Sequence, residues 1–543
     1  MAADHSRRNS LLLASTILTL LAGVFLRAWR LGAQLLLDDE WHALNAVQEH
    51  GYRWIFSHLG HADHSIPLTL LYEFFSHTIG LSEWTMRLPS LLAGIALLVL
   101  LPWLLRHWLR PGERLMLTAL LAISPMLINY SRIARPYALL ALLGSAALPL
   151  AWRWWQRYRP VPNAWAWFTC TIAAGWLNPV TLATTTGPYL WFLPSAVRRA
   201  FGDRQYGPLL RTCGMSIMMA SVLVLLLFVP LSVDWASLAI KSGVHETHGQ
   251  TWMVALSLFS GTGSMPLSLV TLALAMTGWF ELQSRDADFA RFMLLVAAAA
   301  SAAVALTGAE WIGFGIVLAR YLVGLLPLFL ALVSLGLLRI VGMISPNRLP
   351  AAAVAALACA ILTGLLVLRG PLPSLDFRYG QFLQHMSWQF DYNEARNPIR
   401  AALAGVRPEG FYREIAEAHP DGGAVVVEAP WWLESNWNAL PLYQQVHGQQ
   451  VKVGFVGGLC AGKLYGEIDP AVSGMAFRNF VSLADLASGR ETADYVVFRS
   501  RGLPGARAIE MDADACISAL RKAWGDPWRR RDGTWVFRPG RAP

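Results

Sequence analysis

The chain has 543 residues, of which 55% are hydrophobic and only 15% are charged, and its mean hydropathy is +0.41. Soluble domains carry about 25% charged residues, so this composition excludes an ordinary soluble protein and indicates a polytopic α-helical membrane protein. The net charge of +9 comes almost entirely from arginine. In a membrane protein such an excess mainly sets topology, so nucleic acid is not an expected partner.

Apolar runs of about 20 residues, the length that crosses a hydrocarbon core, recur up to residue 368. The first run follows Arg7 and Arg8 and lacks a small-residue cleavage site, so it is predicted to be retained as a span. Arginines concentrate in every second loop between these runs. By the positive-inside rule those loops are cytoplasmic, which places the N-terminus in the cytoplasm and the C-terminus outside. The segments 59–80 and 164–195 leave the count open by two. We predict about eleven spans, at residues 11–28, 87–106, 115–131, 136–152, 164–177, 180–195, 209–230, 253–280, 292–308, 316–338 and 350–368.

The first outside loop, residues 29–86, places carboxylates at the mouth of a span. Asp38, Asp39 and Glu40 follow the first run directly, and Asp63 lies further along. Carboxylates are costly near hydrocarbon, so they stay in water or serve a function. One interpretation is a polar collar that caps a helix, and the other is a reactive acidic group.

The same loop contains two amphipathic segments and three histidines. Trp41–Glu49 and Pro67–Ile79 are predicted to be helices that lie in the membrane interface. His58, His61 and His64 recur every third residue, which spreads them around a helix and does not give the i, i+4 pair favoured by zinc. A divalent metal is therefore possible but not supported by the ligand spacing. The histidines are interpreted as solvated loop residues, with His64 a candidate for substrate binding.

Three arginines are predicted near the outer face. Arg132 and Arg135 lie in "YSRIARPYALL", at the outer end of a predicted hairpin, and Arg320 lies about one turn inside a span. A single arginine at such a depth is explained by snorkelling to lipid headgroups. Three at the same level, on the same side as the carboxylates, favour an anion site, because the planar guanidinium matches phosphate oxygens.

From residue 369 the composition becomes that of a soluble protein, so we divide the chain into a membrane domain, 1–368, and an extracytoplasmic domain, 369–543. Cys460 and Cys516 both fall in the second domain and are candidates for a disulfide if it faces an oxidising compartment. Trp431, Trp432 and Trp437 are candidates for sugar stacking or for buried core. Alternating segments predict a small α/β domain with a partly parallel sheet: strands at Ala424–Pro430, Val451–Val456 and Asp494–Ser500, and helices at Tyr412–His419, Trp437–Gly448 and Asp514–Gly525.

A cavity with both carboxylates and arginines suits one reaction class. A carboxylate can act as general base for an acceptor hydroxyl, while fixed arginines stabilise the charge that grows on a departing lipid phosphate. The expected partners are a polyprenyl-phosphate-sugar donor, a glycan, lipid or protein acceptor, and the bilayer. No cofactor is required, because the glycine pairs near Gly422 and Gly457 are too short for a dinucleotide fingerprint.

The order of short motifs resembles the GT-C glycosyltransferases of the protein mannosyltransferase and lipid A aminoarabinose transferase type, over about residues 10–340. The motifs are "LLLDDEWHAL", "DHSIPL", "GLSEWTMRLPSLLAG", "YSRIARPYALL" and "ARYLVGLLP". The resemblance implies that Asp39 and Glu40 form the acidic pair, with Asp39 as base and the adjacent Asp38 leaving the register open by one. It further implies substrate-binding or catalytic roles for Asp63, His64, Arg135, Tyr137, Arg320 and Tyr321, and the charge layout adds Arg132 as a substrate-binding candidate.

The expected function is thus an inverting glycosyltransferase on the periplasmic face of a bacterial inner membrane. The bacterial setting is inferred from the preference for arginine over lysine and from the richness in alanine and leucine. Two alternatives stay open: a lipid-linked glycan polymerase or ligase, and a transporter or flippase, which would show inverted repeats and polar residues near the midplane.

Overall fold

The computed structural model describes residues 2–29, 31–33, 36, 40–60, 64–157, 161–243, 245–344, 351–369, 375–376, 381–382, 405–431, 439–461, 480–502 and 511–539. Six residues that the sequence marks as candidates for a site, for metal binding or for sugar stacking lie outside these ranges, and their roles stay predictions. They are Asp38, Asp39, His61, Asp63, Trp432 and Trp437.

The described part of the membrane domain is almost entirely helical. Proline or glycine stands at many of the helix boundaries, where a missing N–H or a positive φ ends the hydrogen-bond ladder. The helices are α1 (Ala2–Ala28), α2 (Glu40–Glu49), α3 (Tyr52–Ser57), α4 (Ile66–Ser76), α5 (Glu83–Leu104), α6 (Pro111–Ile123), α7 (Pro125–Ser131), α8 (Tyr137–Arg157), α9 (Val161–Leu177), α10 (Leu182–Thr186), α11 (Tyr189–Gly202), α12 (Tyr206–Val233), α13 (Trp235–Ile240), α14 (Gly249–Ser260), α15 (Met265–Arg285), α16 (Ala287–Leu306), α17 (Gly315–Tyr321), α18 (Leu326–Ile344) and α19 (Ala351–Arg369).

Six helices in the described ranges are long and apolar enough to cross a membrane: α5, α8, α12, α15, α16 and α18. A seventh span results if α6 and α7, which are bent by 61° at their junction, are counted together. The protein is therefore a polytopic helical membrane protein, as predicted. The count of about eleven spans is not confirmed, because several predicted spans are shorter or broken helices.

The predicted span 253–280 is wrong as a single helix. Helix α14 ends at Ser260, and Gly261 follows in the left-handed region with φ +75°. Helix α15 starts at Met265, with a proline in its first turn. A hydropathy window misses this break, because the residues on both sides are equally apolar.

Three other predicted spans are broken for related reasons. The span 115–131 divides at Ser124 because Pro125 has no N–H to continue the ladder of α6. The span 180–195 divides into a short 3₁₀ turn, α10 and α11 around Pro188. The span 316–338 divides between α17 and α18, where residues 322–325 form a turn.

Glycines allow α15 and α18 to pack closely against each other. A Cβ added at Gly278 of α15 would lie 1.8 Å from the carbonyl oxygen of Leu332, and one added at Gly336 of α18 would lie 1.9 Å from that of Leu274. Neither position can carry a larger side chain without the helices moving apart. Small residues at a membrane helix interface allow the two backbones to pack directly.

The described part of the tail forms the predicted α/β domain, and its sheet is partly parallel, as expected. Its helices span Phe411–Ala418, Leu440–His447, Leu483–Ala487 and Ala513–Trp524. The strands are β1 (Leu375–Asp376), β2 (Gln381–Phe382), β3 (Val425–Ala429), β4 (Gln450–Phe455), β5 (Phe480–Ser482), β6 (Tyr495–Arg499), β7 (Arg529–Arg531) and β8 (Thr534–Phe537).

The six-stranded sheet has the order β5-β4-β3-β6-β8-β7. The first four strands are parallel, and β8 and β7 add an antiparallel edge. Buried aliphatic residues on β3 and β6 form its core, as expected for strands covered on both faces. Cys460 and Cys516 form a disulfide bond, which joins the loop after β4 to the helix Ala513–Trp524. This confirms the candidate pair.

Candidate active site

Glu40, the first residue of α2, forms a buried ion pair with Arg87 of α5. The Nε and NH2 atoms of Arg87 donate to the two oxygens of Glu40, each at 2.9 Å. Both side chains are almost completely buried, with relative exposures of 1% for Glu40 and 0% for Arg87. Removing one partner of such a pair typically costs about 3–5 kcal/mol, because a buried charge is left uncompensated. The pair therefore fixes where α2 begins.

The Glu40 carboxylate also holds the chain before α8. Its Oε1 atom accepts a hydrogen bond of 2.7 Å from the backbone N–H of Ala134. The next residue, Arg135, is anchored through its carbonyl oxygen, which accepts a bond of 2.8 Å from the hydroxyl of Ser90. The start of the acidic helix and the arginine-bearing segment, which are distant in sequence, are thus joined directly.

Three of the predicted site residues, Arg135, Tyr137 and Arg320, meet at one aromatic ring, and Tyr321 adjoins them through Arg320. The guanidinium carbons of Arg135 and Arg320 lie 5.8 and 5.6 Å from the ring centroid of Tyr137. Arg320 also lies 5.7 Å from the ring of its neighbour Tyr321. Both arginines are half-buried. Arg135, just before α8, and Arg320, in the last turn of α17, thus both lie beside the Tyr137 ring. Guanidinium groups are suited to binding anions such as phosphate.

A glycine pair allows this cluster to form. A Cβ added at Gly144 of α8 would lie 2.8 Å from the Cα atom of Gly324, in the turn after α17. Gly144 lies about two turns along α8 from Tyr137, and Gly324 lies in the turn that directly follows the helix of Arg320. The direct contact of the two backbones brings the segments that carry Tyr137 and Arg320 together.

Arg132 lies in the same hairpin but makes different contacts. Its NH1 atom donates to the carbonyl oxygens of Leu26, Arg27 and Trp29, at 3.3, 3.1 and 2.9 Å. These carbonyls belong to the C-terminal end of α1, which a cation stabilises. With a relative exposure of 2%, Arg132 supports the end of α1, whereas Arg135 and Arg320 line the aromatic cluster.

His64 packs in a group of aromatic rings. The ring of Trp54 stacks against His50, His58 and His64, with centroids 3.8, 4.5 and 5.8 Å away. The interpretation of His64 as a solvated loop residue is wrong, because its side chain is buried, with a relative exposure of 8%. His58 directly follows α3, is half-buried and stacks on Trp54. Among the described residues, no group of three or more His, Cys, Asp or Glu side chains could hold a metal ion.

The tail domain contains a second buried polar cluster. Glu428 of β3 accepts hydrogen bonds of 2.5 Å from both the Tyr412 hydroxyl and Arg499 NH1, and Arg499 NH2 donates to Tyr412 at 2.7 Å. Burial raises the pKa of the Glu428 carboxyl, and Arg499 opposes that shift. Burial shifts the pKa of the His447 imidazole in the opposite direction, from 6.5 down to about 3, because the charged form of histidine is the protonated one. The hydrogen bonds within the cluster satisfy the buried charges of Glu428 and Arg499.

Arg87 is a residue of the site that the sequence did not reveal. It stands in the motif "GLSEWTMRLPSLLAG", whose apolar character draws attention to the span and not to the charge within it. A usable signal was nevertheless present, because an arginine inside an apolar segment requires a partner. Glu40 is one of the few carboxylates that the preceding loop offers for that role.

Comparison with known proteins gives similarity in structure only. No protein-family model matches the chain, and no curated protein matches it. The structure is similar to ArnT from Cupriavidus metallidurans bound to undecaprenyl phosphate, with a TM-score of 0.44 and 13% identity, over 99% of this chain and 99% of that chain. It is also similar to the apo oligosaccharyltransferase of Archaeoglobus fulgidus, with a TM-score of 0.42 and 12% identity.

This second match covers 81% of the present chain, which spans only 64% of that oligosaccharyltransferase. Both proteins are GT-C fold glycosyltransferases, the group that the motif order resembles. Likeness at this level of identity and TM-score assigns no residue and no substrate to the present chain.

Proposed function

We propose that the protein is a membrane glycosyltransferase that moves a sugar from a polyprenyl-phosphate donor to an acceptor hydroxyl. The observation that carries the proposal is the convergence of Arg135 and Arg320 on the ring of Tyr137, next to a peptide that Glu40 holds. An arginine pair of this kind suits a phosphate, and the carboxylates predicted as catalytic are Glu40, its covalent neighbour Asp39, and Asp63.

The reaction is a single displacement with inversion. The acceptor oxygen forms a bond to the anomeric carbon while the bond from that carbon to the phosphate oxygen breaks. The electron pair of the broken bond leaves with the lipid phosphate, whose growing charge Arg135 and Arg320 stabilise. The proton of the acceptor hydroxyl passes to the base, for which we propose Asp39, and Asp63 is a second candidate.

Other predicted site residues are given supporting roles. Glu40 positions Asp39, because both of its oxygens are engaged by Arg87 and one also by Ala134. Arg132 supports the end of α1. Tyr137 and Tyr321 form the aromatic surface beside the arginines. His64 directly follows Asp63 in the chain and is kept as a substrate-binding candidate. Asp38 is kept as the alternative register of the acidic pair.

Arg135 lies just before α8, and Arg320 lies in the last turn of α17. A transporter stays the alternative, because it too would place polar groups at the break of a discontinuous span, and α17 and α18 divide one predicted span next to Arg320. We propose that the site opens to the periplasm, with the N-terminus cytoplasmic and the domain 369–543 outside. A lipid-linked glycan polymerase would use the same donor chemistry.

The test is transfer from a radiolabelled lipid-phosphate sugar pool by membranes that contain the Asp39→Asn variant. We expect transfer to fall by at least about 100-fold, the typical contribution of general base catalysis. The amount of protein in the membrane should not change, because the substitution keeps the shape of the side chain.

Asp288→Asn is the matched control, since Asp288 is an exposed carboxylate on α16 that pairs with Arg291 at 3.8 Å. It should retain full transfer. Transfer at the wild-type rate by Asp39→Asn would rule out Asp39 as the base. Equal losses in both variants would show that the assay reports the amount of folded protein and not the catalytic step.

A further inference from the structure

Asp234, at the end of α12, holds a distant loop of the outer segment. Its Oδ2 atom accepts hydrogen bonds from the backbone N–H groups of Leu59 and Gly60, at 2.5 and 3.1 Å. These residues are separated from Asp234 by 175 and 174 positions in the sequence. A carboxylate that accepts two backbone N–H groups makes charge-assisted bonds, which are stronger than neutral ones.

The loop that Asp234 holds leads into the motif "DHSIPL", which contains Asp63 and His64. Gly60 has φ +54°, and a Cβ added there would lie 2.7 Å from Nδ1 of His64. The fixed turn at Gly60 therefore sets the space in which the His64 ring lies. Ser65 is tied to the membrane domain as well, because its hydroxyl donates to the carbonyl oxygen of Leu177 at 3.0 Å. The chain is thus anchored on both sides of Asp63.

The chain after Asp234 reaches the arginine side of the site. We call residues 234–243 and 245–248 the bridging segment. Its backbone pairs with the chain before α17: Gly243 N–H donates to Thr307 at 3.2 Å, and Lys241 accepts from the N–H of Glu310 at 2.7 Å. The side chains of Lys241 and Glu310 also form an ion pair of 3.8 Å.

The bridging segment thus touches both halves of the proposed site. One end fixes the loop that precedes His64, and the other end is bonded to residues 307–310, which lead into α17 and Arg320. We propose that Asp234 is a positioning residue for sugar transfer, which acts by holding the loop of Leu59 and Gly60 in a fixed relation to the segment that carries Arg320. This inference rests on the proposed function.

The test compares Asp234→Ala, Asp234→Asn and wild type in purified full-length protein. We expect Asp234→Ala to lower kcat by at least about tenfold, since displacement of a reacting group by about 1 Å can reduce rate by about 100-fold. Donor KM should change by less than about threefold, because the arginine pair proposed to bind the donor phosphate is left in place. Asp234→Asn keeps one acceptor oxygen and should restore most of kcat, and hydrogen exchange in residues 51–60 should quicken only in the alanine variant.

Asp286→Ala is the matched control. Asp286 is also half-buried and accepts two N–H groups, from Phe289 and from the indole of Trp108, each at 3.0 Å, but it lies between α15 and α16. Its replacement should reduce stability without the specific loss of kcat. Equal kcat losses in both alanine variants, or unchanged kcat in Asp234→Ala, would overturn the positioning role.

Failure of the two proposals can be told apart. If wild-type protein transfers no sugar from any lipid-phosphate donor, the proposed function fails. Hydrogen exchange still decides whether Asp234 anchors the loop, because exchange requires no activity. If wild type transfers sugar and the exchange of residues 51–60 is the same in Asp234→Ala, the anchoring itself is refuted.

Discussion

Two arginines of one hairpin, Arg132 and Arg135, have similar sequence surroundings but different environments in the structure. The Arg132 NH1 group lies against three carbonyls at the end of α1, whereas Arg135 lies beside the ring of Tyr137. From sequence position alone, Arg132 and Arg135 would be assigned the same role in anion binding. The difference arises from which side of the hairpin faces α1, and that is a property of helix packing.

The residue-scale prediction concerns Arg320. We expect Arg320→Ala to raise the donor KM by about tenfold, equivalent to about 1.4 kcal/mol of lost binding, because one of two cations at the phosphate is removed. The measurement is the rate of transfer as a function of donor concentration.

Arg132→Ala serves as the comparison. It should lower the thermal stability of the protein, since buried hydrogen bonds from a charged group contribute about 1.5–3 kcal/mol, with little change in donor KM for the protein that stays folded. A donor KM that is unchanged in Arg320→Ala, or raised equally in both variants, would contradict a phosphate role for Arg320.

At the scale of elements, sequence patterns predict which segments are helices and strands better than where the helices break. Helices α2 and α4 match the predicted amphipathic segments, and β3, β4 and β6 match the predicted strands, because side-chain periodicity is a local property. The predicted span 253–280 fails because Gly261 ends α14 inside an unbroken apolar run.

The candidate site is also predicted only in part by the sequence. The order of the motifs predicts Arg135, Tyr137, Arg320 and Tyr321 as site residues, and the structure places them in one cluster. The link between Glu40 and Ala134 could not be predicted, because a side chain to backbone contact across 94 positions depends on the packing of α2 against the hairpin.

The element-scale prediction tests the glycine contact between α8 and the turn after α17. Gly144→Ala should destabilise the protein by about 1–3 kcal/mol, the usual cost of overpacking, since the new Cβ would lie 2.8 Å from Gly324. It should also raise donor KM, because Tyr137 and Arg320 are pushed apart. Thermal unfolding and donor titration are the measurements.

The control is Gly214→Ala, within α12, where an added Cβ meets no described atom within 4 Å. Alanine favours a helix interior over glycine by up to about 1 kcal/mol, so this variant should be neutral or more stable. Equal behaviour of the two variants would show that the approach of α8 to the turn is not essential.

At the scale of the whole molecule, the chain combines a helical membrane domain with an α/β tail. The tail contains a disulfide bond between Cys460 and Cys516, and such bonds persist in oxidising compartments. This agrees with the proposed outside location of the tail. Its buried groups give the domain a dependence on pH that can be measured.

The whole-molecule prediction concerns His447. Burial lowers its pKa from 6.5 to about 3, so between these values the unfolded chain binds a proton that the folded domain does not. Stability should therefore fall as the pH falls from 6.5 towards 3, by at most about 1.4 kcal/mol per pH unit from this group. The measurement is hydrogen exchange of residues 439–461 in full-length protein across this range.

In His447→Gln the decline should be shallower, because the group that takes up the proton in the unfolded state is gone. Val451→Ala, which also removes buried side-chain volume from the domain, should lower stability but keep the wild-type slope. Identical slopes in wild type and His447→Gln would contradict the prediction.

The ion pair between Glu40 and Arg87 also constrains how the protein is made. Arg87 belongs to a helix that enters the bilayer, yet it has no exposure to solvent in the finished protein, and its carboxylate partner is supplied by a segment synthesised earlier. An isolated α5 would carry an uncompensated cation during insertion. We therefore expect the segment that carries Glu40 to pack against α5 before that helix settles, so a truncation that deletes this segment should leave the remaining helices poorly inserted and open to degradation.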